Sequence, residues 1–278
     1  MTKILVTGAT GFVGRHIVNA LLKSDVSLTL VVRTGKEHEY ERCMRVDRII
    51  STPDLFSEDE SWWEDICHGI DTVIHSAWYM EPKKYLNSSK NIDCLVGTLA
   101  IAKGAATAGV RRFLGIGTCF EYDLYAGEDL SINSPLHPTS SYAAAKISTF
   151  LTLSQWLPSQ SVEFLWCRLF YLYGEGESES RLVPYIRKQL INGEPAKLTS
   201  GTQVRDFLDV KRVGEKIAEA AYSDVIGVVN ICSGIPITVR EIAEKIADEY
   251  GRRELLEFSA RPDNQVDPPR VVGVPNYG

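Results

Sequence analysis

Short apolar runs alternate with amphipathic segments along residues 1–170. Short runs rich in β-branched residues predict buried strands, whereas apolar residues that recur every three or four positions predict helices. The predicted strands are Lys3–Thr7, Ser27–Arg33, Arg48–Ile50, Thr72–Ala77 and Arg112–Gly117. The predicted helices are Arg15–Leu22, Trp62–Gly69, a long segment between Tyr79 and Ala108, and one beginning at Tyr142. This alternation predicts an α/β fold of the Rossmann type, a doubly wound parallel sheet covered by helices.

The elements predicted after residue 170 are fewer and more interrupted. Helices are predicted at Arg181–Asn192 and Val213–Tyr222, and a strand at Val228–Ile231. A last helix begins with the capping-box spacing of Thr238 and Glu241 and ends before Gly251.

These later elements are too few to bury a core of their own, so we expect a smaller C-terminal lobe packed on the first domain. In this division the Rossmann domain comprises residues 1–170, with the segment of about 204–232 returning to it. The smaller lobe comprises residues 171–203 and 233–278.

Composition narrows the function classes. The 278 residues carry a formal net charge of −6 without any lysine and arginine run, which argues against a nucleic-acid partner. No run of 18 apolar residues indicates a membrane span, and the first strand begins without an apolar leader, so we expect a cytoplasmic protein. The six cysteines are scattered without CxxC spacing or paired histidines, so neither a disulfide framework nor a metal site is predicted.

A glycine turn joins the first predicted strand to the first predicted helix. It contains Gly8, Gly11 and Gly14. A tight reversal needs positive φ at one position, and a pyrophosphate that approaches the backbone leaves no room for a Cβ. The free N–H groups of the following helix also favour an anion. The sequence therefore predicts a dinucleotide site, although three such glycines alone also fit an ordinary turn.

The end of the second strand bears on which dinucleotide is bound. An acidic residue there accepts hydrogen bonds from a ribose 2′-hydroxyl, whereas an arginine suits a 2′-phosphate. The strand ends at Arg33 and Thr34. Arg33 therefore favours NADP(H) over NAD(H), with a solvated strand end as the alternative interpretation. His75, at the end of a buried strand, is expected to have a hydrogen-bonded structural role.

Tyr142 and Lys146 are four residues apart, so on a helix their polar ends reach the same pocket. An ammonium beside a phenol lowers the phenol pKa, and the phenol can then exchange a proton with a carbonyl oxygen or hydroxyl during hydride transfer. Thr118, at the end of the preceding strand, can hold the same oxygen. A YxxxK pair alone is commonly a surface pair, and it gains meaning here from the order of the elements before it. The long loop from Asp123 to Ser141 is expected to be functional.

Several motifs follow one another in a fixed order along the chain. They are TGATGFVG, DTVIHSA, Gly97-Thr98, the strand ending at Thr118, YAAAK, RLFYLYG from Arg168, VRDFLDV from Val204, and ITVREIA before the last helix. Over nearly its whole length the chain thereby resembles the extended short-chain dehydrogenase/reductases. These are NAD(P)-dependent nucleotide-sugar epimerases, dehydratases and 4-keto reductases.

The resemblance implies roles for individual residues. Tyr142 is the general acid/base, Lys146 its electrostatic partner and ribose ligand, and Thr118 the catalytic hydroxyl residue. The implied cofactor contacts are Gly8, Gly11, Phe12, Val13, Gly14, Arg33, Asp54, Leu55, Ala77, Tyr142 and Lys146. The implied substrate contacts are Thr118, Cys119, Phe120, Tyr171, Arg205 and Arg270, with the two arginines on the diphosphate. The C-terminal lobe is then the substrate-binding lobe.

Three departures from the family pattern stand out. The 4,6-dehydratases of the family follow their threonine with Asp-Glu, whereas Thr118 is followed by Cys119-Phe120, which argues against dehydration. We interpret Cys119 as a wall residue, since no neighbouring basic residue indicates an activated thiolate. Tyr171 replaces an asparagine that touches the substrate, which implies a different sugar or pose. Lys211-Arg212 replaces an acidic pair, and we attach no chemistry to it.

The leading hypothesis is therefore NADPH-dependent reduction of the 4-keto group of a nucleotide-linked (6-deoxy)hexose. A nucleotide-sugar 4-epimerase with tightly bound NAD uses the same residues, and a non-catalytic NADP(H)-binding sensor is the alternative of another class. By analogy with relatives we expect a homodimer that packs the helices near Leu95–Ala106 and Tyr142–Leu153. Most relatives continue past the position of Gly278, so the chain is expected to be a short member or a shortened one.

Overall fold

The computed structural model describes residues 1–264 and 266–277. This part of the chain contains thirteen strands and seven α-helices. The strands are β1 Thr2–Thr7, β2 Val26–Arg33, β3 Val46–Thr52, β4 Thr72–His75, β5 Arg112–Thr118, β6 Glu163–Leu169, β7 Tyr171–Tyr173, β8 Ala196–Lys197, β9 Val204–Asp209, β10 Gly227–Ile231, β11 Pro236–Thr238, β12 Leu256–Glu257 and β13 Arg270–Val271. The helices are α1 Phe12–Leu21, α2 Glu60–Cys67, α3 Lys90–Thr107, α4 Ser141–Ser159, α5 Leu182–Asn192, α6 Val210–Ala220 and α7 Val239–Tyr250.

Seven strands form one parallel sheet in the order β10-β6-β5-β4-β1-β2-β3. Alternate residues of its strands face two separate cores. Ile4 and Val6 pack with α1 and α6 on one face, whereas Leu5 packs with α2, α3 and α4 on the other. The expected Rossmann-type, doubly wound parallel sheet is therefore confirmed.

A second group of elements packs beside the sheet. Strand β9 pairs with β7, β11 and β13, while α5 and α7 share a separate hydrophobic cluster that includes Ile186 and Ile246. Helix α7 begins with the predicted capping box, in which the Thr238 hydroxyl accepts from the Glu241 N–H at 3.0 Å. The helix ends at Gly251, whose φ of +63° is the left-handed conformation that favours glycine.

The predicted helix between Tyr79 and Ala108 is wrong in its first third. Helix α3 begins only at Lys90, after an irregular segment with one short 3₁₀ turn at Tyr85–Asn87. The Asn91 side chain explains the difference, because its amide donates to the Tyr85 and Ser88 carbonyls at 2.6 and 3.0 Å. These bonds fold the segment back against the start of α3 instead of extending the helix.

Among residues 1–264 and 266–277, no helix is both long and apolar enough to cross a membrane. The same residues contain no group of three or more metal-ligating side chains. All six cysteines are free, and all except Cys43 are buried.

Candidate active site

Three predicted site segments meet at one edge of the central sheet. β1 runs into the glycine turn, which we define as residues 8–14, β4 ends just before Ser76 and Ala77, and β5 ends at Thr118. Because β1, β4 and β5 are adjacent and parallel, their carboxyl ends lie side by side. This is the edge at which ligands of open α/β sheets bind.

Each glycine of the turn meets a different steric need. Gly8 has φ +69°, and a Cβ there would lie 2.7 Å from the Ala77 nitrogen. A Cβ on Gly14 would lie 2.0 Å from the Gly8 carbonyl oxygen, so only glycine lets α1 approach β1 this closely. Gly11 is the N-cap of α1, where a residue without a side chain leaves the helical N–H groups of Phe12 and Val13 without a side-chain cap. The result is a backbone cradle that fits a diphosphate.

His75 has the structural role that its position predicts. Its Nδ1 accepts from the Thr7 hydroxyl at 2.8 Å, and its Nε2 lies 3.0 Å from the Thr98 hydroxyl, which itself donates to the Cys94 carbonyl. This direction of bonding requires the Nε2–H tautomer. Burial, reinforced by the charge of Lys146, lowers the pKa of His75 to about 3. The neutral imidazole thus ties β1 and α3 together through β4, directly beneath the glycine turn.

Thr118 is fixed by a residue that the sequence analysis missed. Glu121 is completely buried, and its carboxylate accepts from the Thr118 N–H at 2.8 Å, the Trp166 indole N–H at 3.0 Å and the Arg168 guanidinium at 2.6 Å. The Thr118 hydroxyl in turn accepts from the Phe120 N–H. Thr118 and Glu121 form a capping box, a threonine followed three positions later by glutamate, so the signal was present in the sequence.

Tyr142 lies in the first turn of α4, which Ser140 caps by accepting from the Ala143 N–H. Its ring is 6% exposed and meets Tyr85 edge-on at 5.1 Å between ring centroids, with Trp78 and Phe120 also edge-on. Burial raises the pKa of Tyr142, whereas its hydrogen bond with the Thr118 hydroxyl acts in the opposite direction. The phenol is therefore protonated near neutral pH.

Lys146 is one helical turn after Tyr142 and is 4% exposed. Its Nζ donates to the Ile116 carbonyl at 2.7 Å and lies 3.6 Å from the centroid of the Trp78 ring. Burial lowers the pKa of Lys146 to about 7, although the carboxylate of Glu121 favours the ammonium. Burial of the phenol outweighs the other contributions here, so the pKa of Tyr142 is raised, and the lowering expected from Lys146 beside a bound nicotinamide stays a prediction.

The predicted adenine-side residues lie farther along the same edge. Arg33 is exposed at the end of β2. Nearby, Glu39 lies between two further cations that the sequence analysis did not select, with Lys36 Nζ at 3.2 Å and the Arg15 guanidinium at 3.8 Å. Arg15 also donates to the Thr10 carbonyl of the glycine turn at 2.8 Å. The turn and the loop after β2 therefore form one basic corner.

Asp54 and Leu55 follow β3. Asp54 accepts from the Phe56 N–H at 3.1 Å and from the Ser57 hydroxyl, which fixes the turn that it opens. Leu55 is half-buried against the hydrophobic cluster that includes α2 and α3. Ala77 is buried beside Gly8 at the end of β4. All three are thus brought to the carboxyl edge on the glycine-turn side.

Two predicted substrate residues, Phe120 and Tyr171, belong to an aromatic cluster, which we define as Trp78, Tyr85, Phe120, Tyr142 and Tyr171. The Tyr171 ring lies 6.2 Å from Phe120 and 6.0 Å from Phe207, since β7 pairs with β9. The Arg205 guanidinium carbon lies 5.1 Å from the centroid of the Tyr171 ring. Tyr85 carried no distinctive signal, because it lies in the segment mistaken for helix, and Trp78 immediately precedes that segment.

Cys119 is buried beside Thr118, and burial raises the pKa of its thiol. A thiol in this state is a poor nucleophile. The structure therefore fits the interpretation of Cys119 as a wall residue.

Both predicted diphosphate arginines are paired with carboxylates of the chain itself. Arg205 is 3% exposed and binds Asp267 at 2.7 Å. Arg270 binds Asp129, with its Nε at 2.8 Å. Asp129 belongs to the long loop after β5, and Asp267 to the segment before β13. No local pattern in the sequence indicates either pair.

Comparison with known proteins confirms the resemblance. The model of the NAD dependent epimerase/dehydratase family matches residues 4–232. A dTDP-6-deoxy-L-talose 4-dehydrogenase (NAD(+)) from Aggregatibacter actinomycetemcomitans is 24% identical, with 97% of this chain and 98% of that protein aligned. A GDP-6-deoxy-D-mannose reductase from Pseudomonas aeruginosa is 26% identical, with 88% of this chain and 79% of that protein aligned.

Solved structures show the same architecture. The UDP-glucose 4-epimerase of Thermotoga maritima, solved with UDP-glucose, superimposes with a TM-score of 0.83 over 99% of this chain and 90% of that one. The two sequences are 22% identical, so this likeness concerns the fold. Because the family model covers well over half of the chain, the protein belongs to the NAD dependent epimerase/dehydratase family.

Proposed function

We propose that the protein reduces the 4-keto group of a nucleotide-linked 6-deoxyhexose with NADPH. One observation carries this proposal: buried Tyr142 lies near enough to the Thr118 hydroxyl for that hydroxyl to act on its pKa, and buried Lys146 follows one helical turn later on α4. The neighbouring Cys119 and Phe120 offer no acid/base pair for dehydration. The names of two relatives, a dTDP-6-deoxy-L-talose 4-dehydrogenase and a GDP-6-deoxy-D-mannose reductase, support chemistry at such a sugar.

The glycine turn is the proposed holder of the cofactor diphosphate, through the N–H groups of Phe12 and Val13. Gly8, Gly11 and Gly14 leave it room, Ala77 lies beside it, and Asp54 and Leu55 are proposed to flank the adenine. An ammonium has three N–H donors, of which Lys146 gives one to Ile116, and we propose that the others reach ribose hydroxyls. When bound, the nicotinamide supplies the hydride.

Arg33 is the proposed ligand of a 2′-phosphate. Lys36 and Arg15 add positive charge at the same corner, although Glu39 compensates part of it. A guanidinium binds a 2′-phosphate more favourably than it binds a 2′-hydroxyl, so this corner favours NADP(H) over NAD(H). The relative named for NAD(+) makes NAD(H) the competing cofactor.

Tyr142 is the proposed proton donor. A carbonyl oxygen that gains negative charge as hydride arrives becomes basic enough to take the phenolic proton. Because burial keeps the phenol protonated, the donor is in the correct state before the reaction. The Thr118 hydroxyl shares the developing charge and is held in place by Glu121 through its backbone N–H. Lys146 in its ammonium form stabilises the phenolate that remains.

The substrate is proposed to lie between the aromatic cluster and the second lobe. Phe120, Cys119 and Tyr171 form the wall against the sugar, while Arg205 and Arg270 bind the diphosphate. In this proposal residues 171–203 and 233–278 form the substrate-binding lobe, and residues 1–170 with about 204–232 form the NAD(P)-binding domain.

We also propose a homodimer through α3 and α4. Ile92 and Val96 on α3 are 62% and 60% exposed, and Leu151 on α4 is 53% exposed. Such neighbouring apolar side chains favour burial against another surface, which here is a second copy of the chain. A Val96→Asp variant that elutes as a monomer, while the wild type elutes as a dimer, is the expected result.

The test is an assay of the purified protein with NADPH or NADH and a panel of nucleotide-linked 4-keto-6-deoxysugars. We expect loss of reduced-nicotinamide absorbance in step with a new C4 hydroxyl observed by NMR. Flat absorbance together with interconversion of nucleotide hexoses would replace the reductase with a 4-epimerase. Cofactor binding without turnover of any sugar would indicate the non-catalytic sensor.

A further inference from the structure

Asp267 forms an ion pair with Arg205, the residue that is proposed to bind the substrate diphosphate. The Arg205 side chain is 3% exposed, whereas the Asp267 side chain is 36% exposed, and their closest atoms are 2.7 Å apart. Arg205 is otherwise held by its own strand, because it donates to the Val204 carbonyl at 2.8 Å and stacks on Tyr171. The arginine is therefore the fixed partner and the aspartate the accessible one.

The described residues beside Asp267 make hydrogen bonds at the surface, including the one from Val266 N–H to the Asn264 side chain and those from Ser200 to Asp263. Tyr125, on the long loop after β5, donates to the Val266 carbonyl at 2.6 Å. Asp267 itself donates its N–H to the Asn264 carbonyl at 3.1 Å. These contacts are exposed ones, and exposed hydrogen bonds contribute little to stability. The segment can therefore give up its carboxylate contact without unfolding the lobe.

We propose that Asp267 is a built-in competitor for the diphosphate of the substrate, so that binding exchanges the Arg205–Asp267 ion pair for an Arg205–phosphate contact. This inference rests on the proposed function. A carboxylate and a phosphate oxygen make the same kind of charge-assisted bond to a guanidinium. A diphosphate carries about two negative charges, whereas the Asp267 carboxylate carries one. The diphosphate can therefore displace the carboxylate from Arg205. Asp267 keeps buried Arg205 compensated when substrate leaves, and it limits affinity for the product.

The central experiment compares Asp267→Asn with the wild type by calorimetric titration in saturating NADPH. The titrants are UDP, dTDP and GDP, with inorganic pyrophosphate as a probe of the anion contact alone. We expect the variant to bind the preferred nucleoside diphosphate and pyrophosphate about ten-fold more tightly, because the competing carboxylate is gone. In steady state its KM should fall by a similar factor.

Asp263→Asn is the matched control. Asp263 is on the same segment and accepts from the Ser200 N–H and hydroxyl at 2.9 Å, away from Arg205. It loses the same charge, so a general electrostatic effect would strengthen binding in both variants. We expect unchanged affinity in this control, and equal tightening in both variants would overturn the proposal.

A second variant keeps the ion pair intact. Tyr125→Phe removes the hydrogen bond to Val266, and since Tyr125 is 53% exposed the change should not disturb folding. We expect binding two- to three-fold tighter, because Asp267 is then less firmly held on Arg205. Weaker binding in both Asp267→Asn and Tyr125→Phe would overturn the proposal and make the segment a support for Arg205.

The two proposals fail in different ways. If Asp267→Asn binds pyrophosphate more tightly but no nucleoside diphosphate binds any variant, the competition at Arg205 stands and the nucleotide-sugar function is contradicted. If nucleoside diphosphates bind the wild type and Asp267→Asn equally, the function stands and the competition is overturned.

Discussion

The glycine turn and the aromatic cluster are two halves of one candidate site, and they are built differently. The turn is made of consecutive residues, and its shape follows from backbone contacts such as the approach of Gly14 to Gly8. The cluster is assembled from separate segments, with Trp78 after β4, Phe120 after β5, Tyr142 on α4 and Tyr171 on β7. The first half depends on local sterics, whereas the second depends on buried charges and rings held together by the whole fold.

The largest effect is expected where the cluster depends on a buried charge. Glu121→Gln would leave the 1%-exposed Arg168 side chain without its charged partner. Breaking such a buried pair costs about 3–5 kcal/mol of unfolding free energy. Urea unfolding measures this loss. Glu179→Gln is the control, since Glu179 pairs with Lys188 at the surface, and no measurable change is expected there.

The next largest effect is expected in the glycine turn, where glycines allow close packing of the helix and leave room for the cofactor diphosphate. Gly14→Ala places a methyl group 2.0 Å from the Gly8 oxygen, so the helix must shift, at a cost of about 1–3 kcal/mol of unfolding free energy. In Gly11→Ala the closest contact is 3.1 Å, so stability should change little. Both variants should lose NADPH affinity. Equal stability losses would contradict the steric account of Gly14.

Low pH is expected to destabilise the half of the site that contains the glycine turn, because His75 supports this turn only as a neutral ring. Its folded-state pKa is about 3, below the ordinary value of 6.5, so the unfolded chain takes up a proton first as pH falls. The contribution of His75 to the unfolding free energy is therefore fully present above about pH 6.5. It falls below that pH, by about 1.4 kcal/mol at pH 5.5.

His75→Gln should reduce the difference in unfolding free energy between pH 7.5 and 5.5 by that amount. His68 is exposed, and His68→Gln should leave the pH dependence unchanged. A His75 variant with the full acid dependence of the wild type would assign that dependence to other groups.

The smallest effect concerns the exposed basic corner. Arg33→Ala should weaken NADPH binding about five-fold and leave NADH binding unchanged, because an exposed ionic contact contributes about 1 kcal/mol at most. Fluorescence titration of both cofactors measures the ratio. Equal losses for the two cofactors would remove Arg33 as the residue that selects NADP(H).

The same difference between local and long-range contacts explains which features could be predicted from the sequence. The glycine turn, the alternation of strands and helices and the Thr238 capping box depend on spacing within a few residues, and the structure has them where the pattern places them. The start of α3 was wrong because a side chain, Asn91, folds the preceding segment back. The pairing of Arg205 with Asp267 joins distant segments, so no local spacing encodes it.

The most direct test of the account is the Tyr142→Phe variant, assayed with NADPH and a nucleotide-linked 4-keto-6-deoxysugar beside a cofactor titration. We expect kcat to fall by roughly 10²–10⁴-fold, the usual contribution of a positioned general acid. The NADPH dissociation constant and the thermal midpoint should stay close to those of the wild type, since Phe keeps the ring contacts with Tyr85, Trp78 and Phe120. Wild-type turnover in this variant would contradict the assignment of Tyr142 as the proton donor.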